Sequence, residues 1–164
     1  SYHPDTYEQI FPWHHGAGDF VVKLTDDGLE VRLVTVRQYG AMADPSEMDR
    51  NEALLFFFLN LSIRMRLDRL DGVGELIWAE DECLDMTWEG FKEALQVKER
   101  EGVLAPGFGK NFFETSILIS GEALIERFLA LLESYDPQTP DLPVIQQGLV
   151  LHLARVHDLM HGLK

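Results

Sequence analysis

The chain has 164 residues, with 14 Lys and Arg against 28 Asp and Glu, for a formal net charge of −14. That balance repels phosphate backbones and anionic lipid, so nucleic acid and membrane surfaces are disfavoured as partners. An apolar fraction of 46% excludes a disordered chain, and the length suits one domain spanning 1–164.

Residues 1–19 mix Pro4, Pro12, Gly16 and Gly18 with aromatics and His3, His14 and His15, which predicts an ordered but irregular segment held down by its aromatic rings. Phe20–Leu24 and Leu29–Val36 are rich in β-branched residues, and Thr25-Asp-Asp-Gly28 between them is turn chemistry, so a β-hairpin is expected. Two strands are marginal in water, and the hairpin must pack on helices or gain another strand. Asp44-Pro45-Ser46 with Asp49 reads as a helix start.

The most apolar stretch, Glu52 to Asp71, is expected to be the central helix. At about 100° per residue, Phe56, Leu59, Ile63, Leu67 and Leu70 form one stripe, and Leu54, Phe58, Leu61 and Met65 form another. Two stripes require cover on two sides. Between them run two polar seams. One holds Asn60, Arg64, Asp68 and Asp71, with Arg64 and Asp68 at ion-pairing separation. The other holds Ser62, Arg66 and Arg69 with no carboxylate of its own, so its acid comes from elsewhere or it faces water or an anion.

Gly72 and Gly74 end that helix, and Leu76–Ala79 is a candidate third strand. Thr87 is placed as the N-cap of a helix from Trp88 to Arg100, after an acidic turn at Glu80, Asp81, Glu82 and Asp85. Gly102–Gly109 is read as a loop. Asn111–Ile119 is ambiguous between helix and strand, and Ser120-Gly-Glu122 opens a helix carrying Leu124, Phe128, Leu131 and Leu132. After the Pro-punctuated Asp136–Pro143, a last helix is expected from Val144 to His161, with a stripe at Ile145, Leu149, Leu153, Val156 and Met160. The predicted class is α+β: an N-terminal β-hairpin or small antiparallel sheet packed on a helical bundle with a buried central helix.

Several constellations bear on chemistry. Pro12-Trp-His-His-Gly-Ala-Gly-Asp-Phe20 offers Trp13 as an apolar wall, with His14 or His15 as a base and Asp19 as its orienter. Equally, it is a loop entering a hairpin. His15-Gly-Ala-Gly-Asp19 loosely looks like the catalytic loop of aminoglycoside-type kinases, but Leu24 stands where that family needs an Asn, so the family is not assigned.

Arg37, Gln38 and Tyr39 at a strand end, with Arg64, Arg66 and Arg69, are donors that could surround a small anion, with Asp68 beside Arg64 on the polar seam of the same candidate pocket, and internal salt bridging is the preferred alternative for the arginines. His157 and His161, one helical turn apart, would chelate a divalent metal if further ligands joined them; surface histidines near a helix C-terminus are the preferred alternative.

The expected function is a soluble small-ligand-binding or regulatory domain, with an anion as one candidate ligand. The competing readings are an enzyme using His14 or His15 with Arg37 or Arg64, with or without a metal, and an interaction subunit of a homo-oligomer or larger complex. No cofactor is identified by any motif. The single Cys83 forms no internal disulfide and the polar opening Ser1-Tyr2-His3-Pro4-Asp5 does not read as a secretory leader, so a cytoplasmic setting is expected; Ser1 in place of Met leaves a longer parent chain open.

Overall fold

Residues 2–10, 20–26, 28–33, 39–41, 43–69 and 74–163 are described by a computed structural model. In chain order they form β1 (Glu8–Ile10), β2 (Phe20–Thr25), β3 (Gly28–Leu33), β4 (Tyr39–Ala41), α1 (Arg50–Arg64), β5 (Leu67–Arg69), β6 (Leu76–Trp78), α2 (Asp81–Arg100), α3 (Phe108–Ser116), α4 (Gly121–Glu133) and α5 (Asp141–Met160). Among these residues the strands pair in twos, all antiparallel: β1 with β4, β2 with β3, and β5 with β6. The class is α+β, as the order of strands and helices predicts. No described helix is long and apolar enough to cross a membrane.

The first segment departs from its irregular reading, because Glu8–Ile10 pairs with Tyr39–Ala41. A three-residue strand is too short for periodicity to reveal, and its partner is distant in sequence. Aromatics do pin this segment. The Tyr2 ring lies 5.0 Å from that of Phe57, and the buried Tyr7 donates its hydroxyl to the Met48 carbonyl at 3.0 Å.

The central helix is shorter at both ends than its apolar run suggests. Asp49 is the N-cap, its carboxylate accepting from the amides of Asn51 and Glu52, while Asp44 closes a separate turn over Ser46. At the other end the helix stops at Arg64 because Leu67–Arg69 leaves it to pair with Leu76–Trp78, the third strand anticipated from sequence. Arg64 and Asp68 are therefore not helical neighbours. Leu54, Leu55, Phe58, Leu59 and Ile63 are fully buried, with α2 and α3 on one side and α4 and α5 on the other.

On the first side an aromatic cluster fills the core. The ring of Phe58 lies 4.9 Å from both Trp88 and Phe91, and Phe112 meets Phe91 edge-on at 5.7 Å. These T-shaped and tilted contacts set positive ring edges against negative faces. Helix α2 begins at Asp81, not after Thr87, whose hydroxyl instead donates to the Cys83 carbonyl within the helix. The acidic run supplies the N-cap and first turn, where carboxylates suit the helix dipole. Helix α3 absorbs the ambiguous segment and lacks a side-chain cap of its own. Glu99 of α2 serves instead, accepting from the amides of Gly107 and Gly109 at 3.0 and 2.7 Å, and those bonds lower its pKa.

On the other side α4 packs against α5, with Leu124, Phe128 and Leu131 of α4 and Ile145, Val156 and Met160 of α5 all buried in the core and the Phe128 ring 5.4 Å from that of His152. Helix α5 starts at Asp141, within the Pro-rich connection, because Pro143 sits in the first turn, where a missing N–H has no intrahelical partner to lose. Ion pairs tie the helices together: Arg127 to Glu52, Arg64 to Asp141 and Arg155 to Asp85.

Gly148 of α5 is where Trp78 of β6 lies against the helix. A Cβ there would stand 2.6 Å from the indole Nε1. Gly148→Ala is expected to destabilise the protein by about 1–3 kcal/mol despite alanine's better helix propensity, because the indole must move. Urea unfolding measures this directly; a neutral or stabilising result would show that Trp78 shifts freely.

Candidate functional site

Helices α1 and α2 leave an open apolar cleft of about 420 Å³ between them. Phe57, Leu61 and Met65 form one wall; Cys83, Met86, Thr87, Gly90, Phe91 and Ala94 form the other. A smaller recess of about 70 Å³ shares Phe57, Phe91 and Ala94 and continues to Tyr2 and Lys98. The local sequence explains the opening. On α2, Gly90 and Ala94 follow Cys83 and Thr87 at helical spacing, so small side chains line the face opposite Leu61 and Met65. A Cβ built on Gly90 meets nothing within 4 Å.

The cleft walls are soft and uncharged, while its outer bank is acidic. Glu82, Met86, Glu89 and Glu93 form the adjacent exposed row of α2. Glu89 is paired with Lys92. Asp68 is close enough to Cys83 for its charge to act on the thiol. Burial is the larger influence on that thiol and pushes its pKa up, and its Sγ donates to the Met65 carbonyl at 2.9 Å. Cys83 is thus a wall of the cleft and a poor nucleophile.

A second constellation is sealed in the core. His152, fully buried, places Nε2 3.0 Å from the Ser62 hydroxyl, which itself donates to the Leu59 carbonyl at 2.7 Å. The hydroxyl proton is committed, so the Nε2–H donates to Ser62 and Nδ1 is left as the acceptor facing Arg66 Nη1 at 3.4 Å. Arg66 donates from Nε to the Ala79 carbonyl and from Nη2 to Asp81, and its guanidinium lies 5.0 Å from the centre of the Trp78 ring. Burial first and the Arg66 charge second push the His152 pKa down to about 3. A serine beside a histidine suggests nucleophilic catalysis, but this pair is closed to solvent and points the hydroxyl proton at the backbone. Its role is to join α1, β6 and α5.

The residues singled out from sequence are distributed unevenly. Trp13, His14, His15, Asp19, Arg37 and Gln38 lie outside the described residues. Tyr39 is exposed in β4. Arg64 is engaged internally, with Nη1 2.6 Å from Asp141 and its guanidinium 4.2 Å from the centre of the Tyr135 ring. Tyr135 in turn donates to Asn60 at 2.9 Å, and burial pushes its pKa up to about 12. Asp68, exposed in β5, accepts from the Arg69 amide. The acid that comes to the Ser62–Arg66 seam from elsewhere is Asp81.

His157 and His161 do come together, with ring centroids 4.0 Å apart, and Nδ1 of His161 bonds the His157 carbonyl at 2.8 Å. Among the described residues no group of three or more His, Cys, Asp or Glu side chains is placed to hold a metal ion. Sequence reasoning missed both His152 and the cleft. His152 stands seven residues after Ile145 and four before Val156, on their buried stripe. Gly90, inside an otherwise good helical pattern, was the visible signal for the cleft.

No protein-family model matches the chain, and comparison with curated proteins and with solved structures finds no similar one.

Proposed function

We propose that the chain is a ligand-binding or regulatory module whose ligand occupies the α1–α2 cleft. The observation that carries this reading is the open space over Gly90, a glycine in a helix interior that no neighbour requires. Glycine costs about 1 kcal/mol relative to alanine at such a position, and here the return is room for another molecule. The volume of about 420 Å³ falls in the range of small-molecule sites. Apolar walls with Asp68, Glu82 and Glu93 nearby favour a neutral or cationic amphiphile. The anion reading loses support because Arg64 and Arg66 already face Asp141 and Asp81. The net charge of −14 disfavours nucleic acid as the partner. A reducing, cytoplasmic setting suits the lone thiol.

Fluorescence titration with a dansyl-labelled alkylamine and its matched carboxylate tests this. The amine is expected to bind at least about tenfold more tightly at low salt. Gly90→Leu, which fills the cleft, should abolish that binding, while Gly90→Ala should raise stability by about 0.5–1 kcal/mol. If the protein binds neither probe, or Gly90→Leu binds as the parent does, the cleft is not the site.

A further inference from the structure

The α1–α2 cleft does not end where its open part does. It adjoins the narrower recess across Phe57, Phe91 and Ala94, which line both. The recess is about 70 Å³, far below the roughly 300–1,000 Å³ of a small-molecule site, so it is too small for a ligand of its own. It suits the end of something that enters from the cleft. Along α2 the cleft begins at Cys83, and the recess reaches Leu95 and Lys98. At about 1.5 Å per residue, Cys83 to Leu95 is a run of roughly 18 Å, of which the stretch as far as Phe91 supplies roughly 12 Å. The lined space is long and thin.

Walls and charges are sorted along that length. Leu61, Met65 and Met86 flank the wide part, where flexible thioethers adapt to an occupant without a fixed shape. Leu54, Leu95 and Leu104 close the narrow part. Acid stands at the wide end, where Asp68 is close enough to act on Cys83 and Glu82 precedes that cysteine on α2. Lys98 stands at the narrow end. A cationic head is therefore drawn to the Cys83 end and turned away from the other.

We propose that the site takes a single unbranched alkyl chain with a cationic head, of the long-chain primary amine class, with the head beside Asp68 and Glu82 and the tail running through the cleft into the recess. This rests on the cleft being the ligand site and adds the shape of the ligand. A ring of the same polarity would fill the cleft and leave the recess empty. The recess is the stop that measures the chain. With each carbon–carbon bond advancing an extended chain by about 1.25 Å, the cleft alone holds about ten carbons, and cleft and recess together hold about 14.

Titration calorimetry with the n-alkylamines from hexylamine to hexadecylamine, each below its micelle-forming concentration, is the test. In the parent chain each added CH₂ should tighten binding about fourfold up to tetradecylamine, and further carbons should add nothing. Ala94 is exposed and lines both spaces, so leucine there closes the way into the recess without disturbing the core. In Ala94→Leu the rise should stop near decylamine, leaving tetradecylamine at least about 30-fold weaker than in the parent. Octylamine binding and the urea midpoint should stay at parent values. If octylamine binding depends on Gly90 but tetradecylamine gains nothing over decylamine, or Ala94→Leu keeps the parent's limit, the chain reading is overturned while the cleft stands. Affinity that climbs without a limit, as on an open groove made for a partner's helix, overturns it as well. If no amine binds, the cleft is not the site and both readings fall.

Discussion

Arg66→Ala is expected to destabilise the fold by about 3–5 kcal/mol, and Asp81→Ala, which leaves the buried guanidinium without its counter-charge, by a smaller amount of about 1–3 kcal/mol. The asymmetry follows from burial: the Arg66 side chain is 5% exposed and that of Asp81 is 59% exposed. Losing the arginine leaves the Ala79 carbonyl without its Nε donor and His152 Nδ1 without a partner, and strips the packing from Trp78. Losing the aspartate leaves a guanidinium that still donates to Ala79. Arg66→Lys should recover only part of the loss, since one ammonium cannot reproduce the planar fork. Urea midpoints for the three variants decide the matter. Equal losses for Arg66→Ala and Asp81→Ala would mean that the ion pair, not the buried guanidinium, holds the joint.

His152 should make the protein acid-sensitive well above the range where most carboxylates titrate. Its folded pKa, about 3, lies below the ordinary 6.5. Between those values the unfolded chain binds a proton that the folded chain refuses. The stability this histidine contributes is complete above about pH 6.5 and is lost as the pH falls toward about 3, by up to about 1.4 kcal/mol per unit. The cause is structural: protonation would put an N–H on Nδ1 against Arg66 in a site closed to solvent. His152→Gln retains an amide to face Ser62 and does not titrate, so its urea midpoint should fall less between about pH 7 and pH 5 than the parent's. Parallel curves for the two proteins would show that His152 charges freely in the fold.

Local signals read correctly where the responsible atoms are neighbours in sequence. Ser120 caps α4, its Oγ accepting from the Ala123 amide, and Thr25–Gly28 turns the hairpin. They misled where a distant partner decided. The apolar run to Leu70 continued the helical pattern, yet Leu67–Arg69 pairs as strand with Leu76–Trp78, since the ladder satisfies backbone groups that a further helical turn would also have satisfied. Thr87 had the chemistry of a cap, but the helix had already begun at Asp81, where the carboxylate also reaches Arg66.

The candidate site divides in the same way. The sequence by itself determined the α+β class, the acidic charge, the buried central helix with cover on two sides, and that the Ser62–Arg66 seam carries no carboxylate of its own. Periodicity, composition and turn chemistry are sums over neighbours, and those are legible in one dimension. Only the tertiary structure decided that Asp81 supplies its carboxylate, that His152 is sealed and neutral beneath Trp78, and that Gly90 faces open space while Gly148 faces an indole ring. Each of these depends on which surfaces meet, and two glycines in similar helices differ only in what the fold brings opposite them.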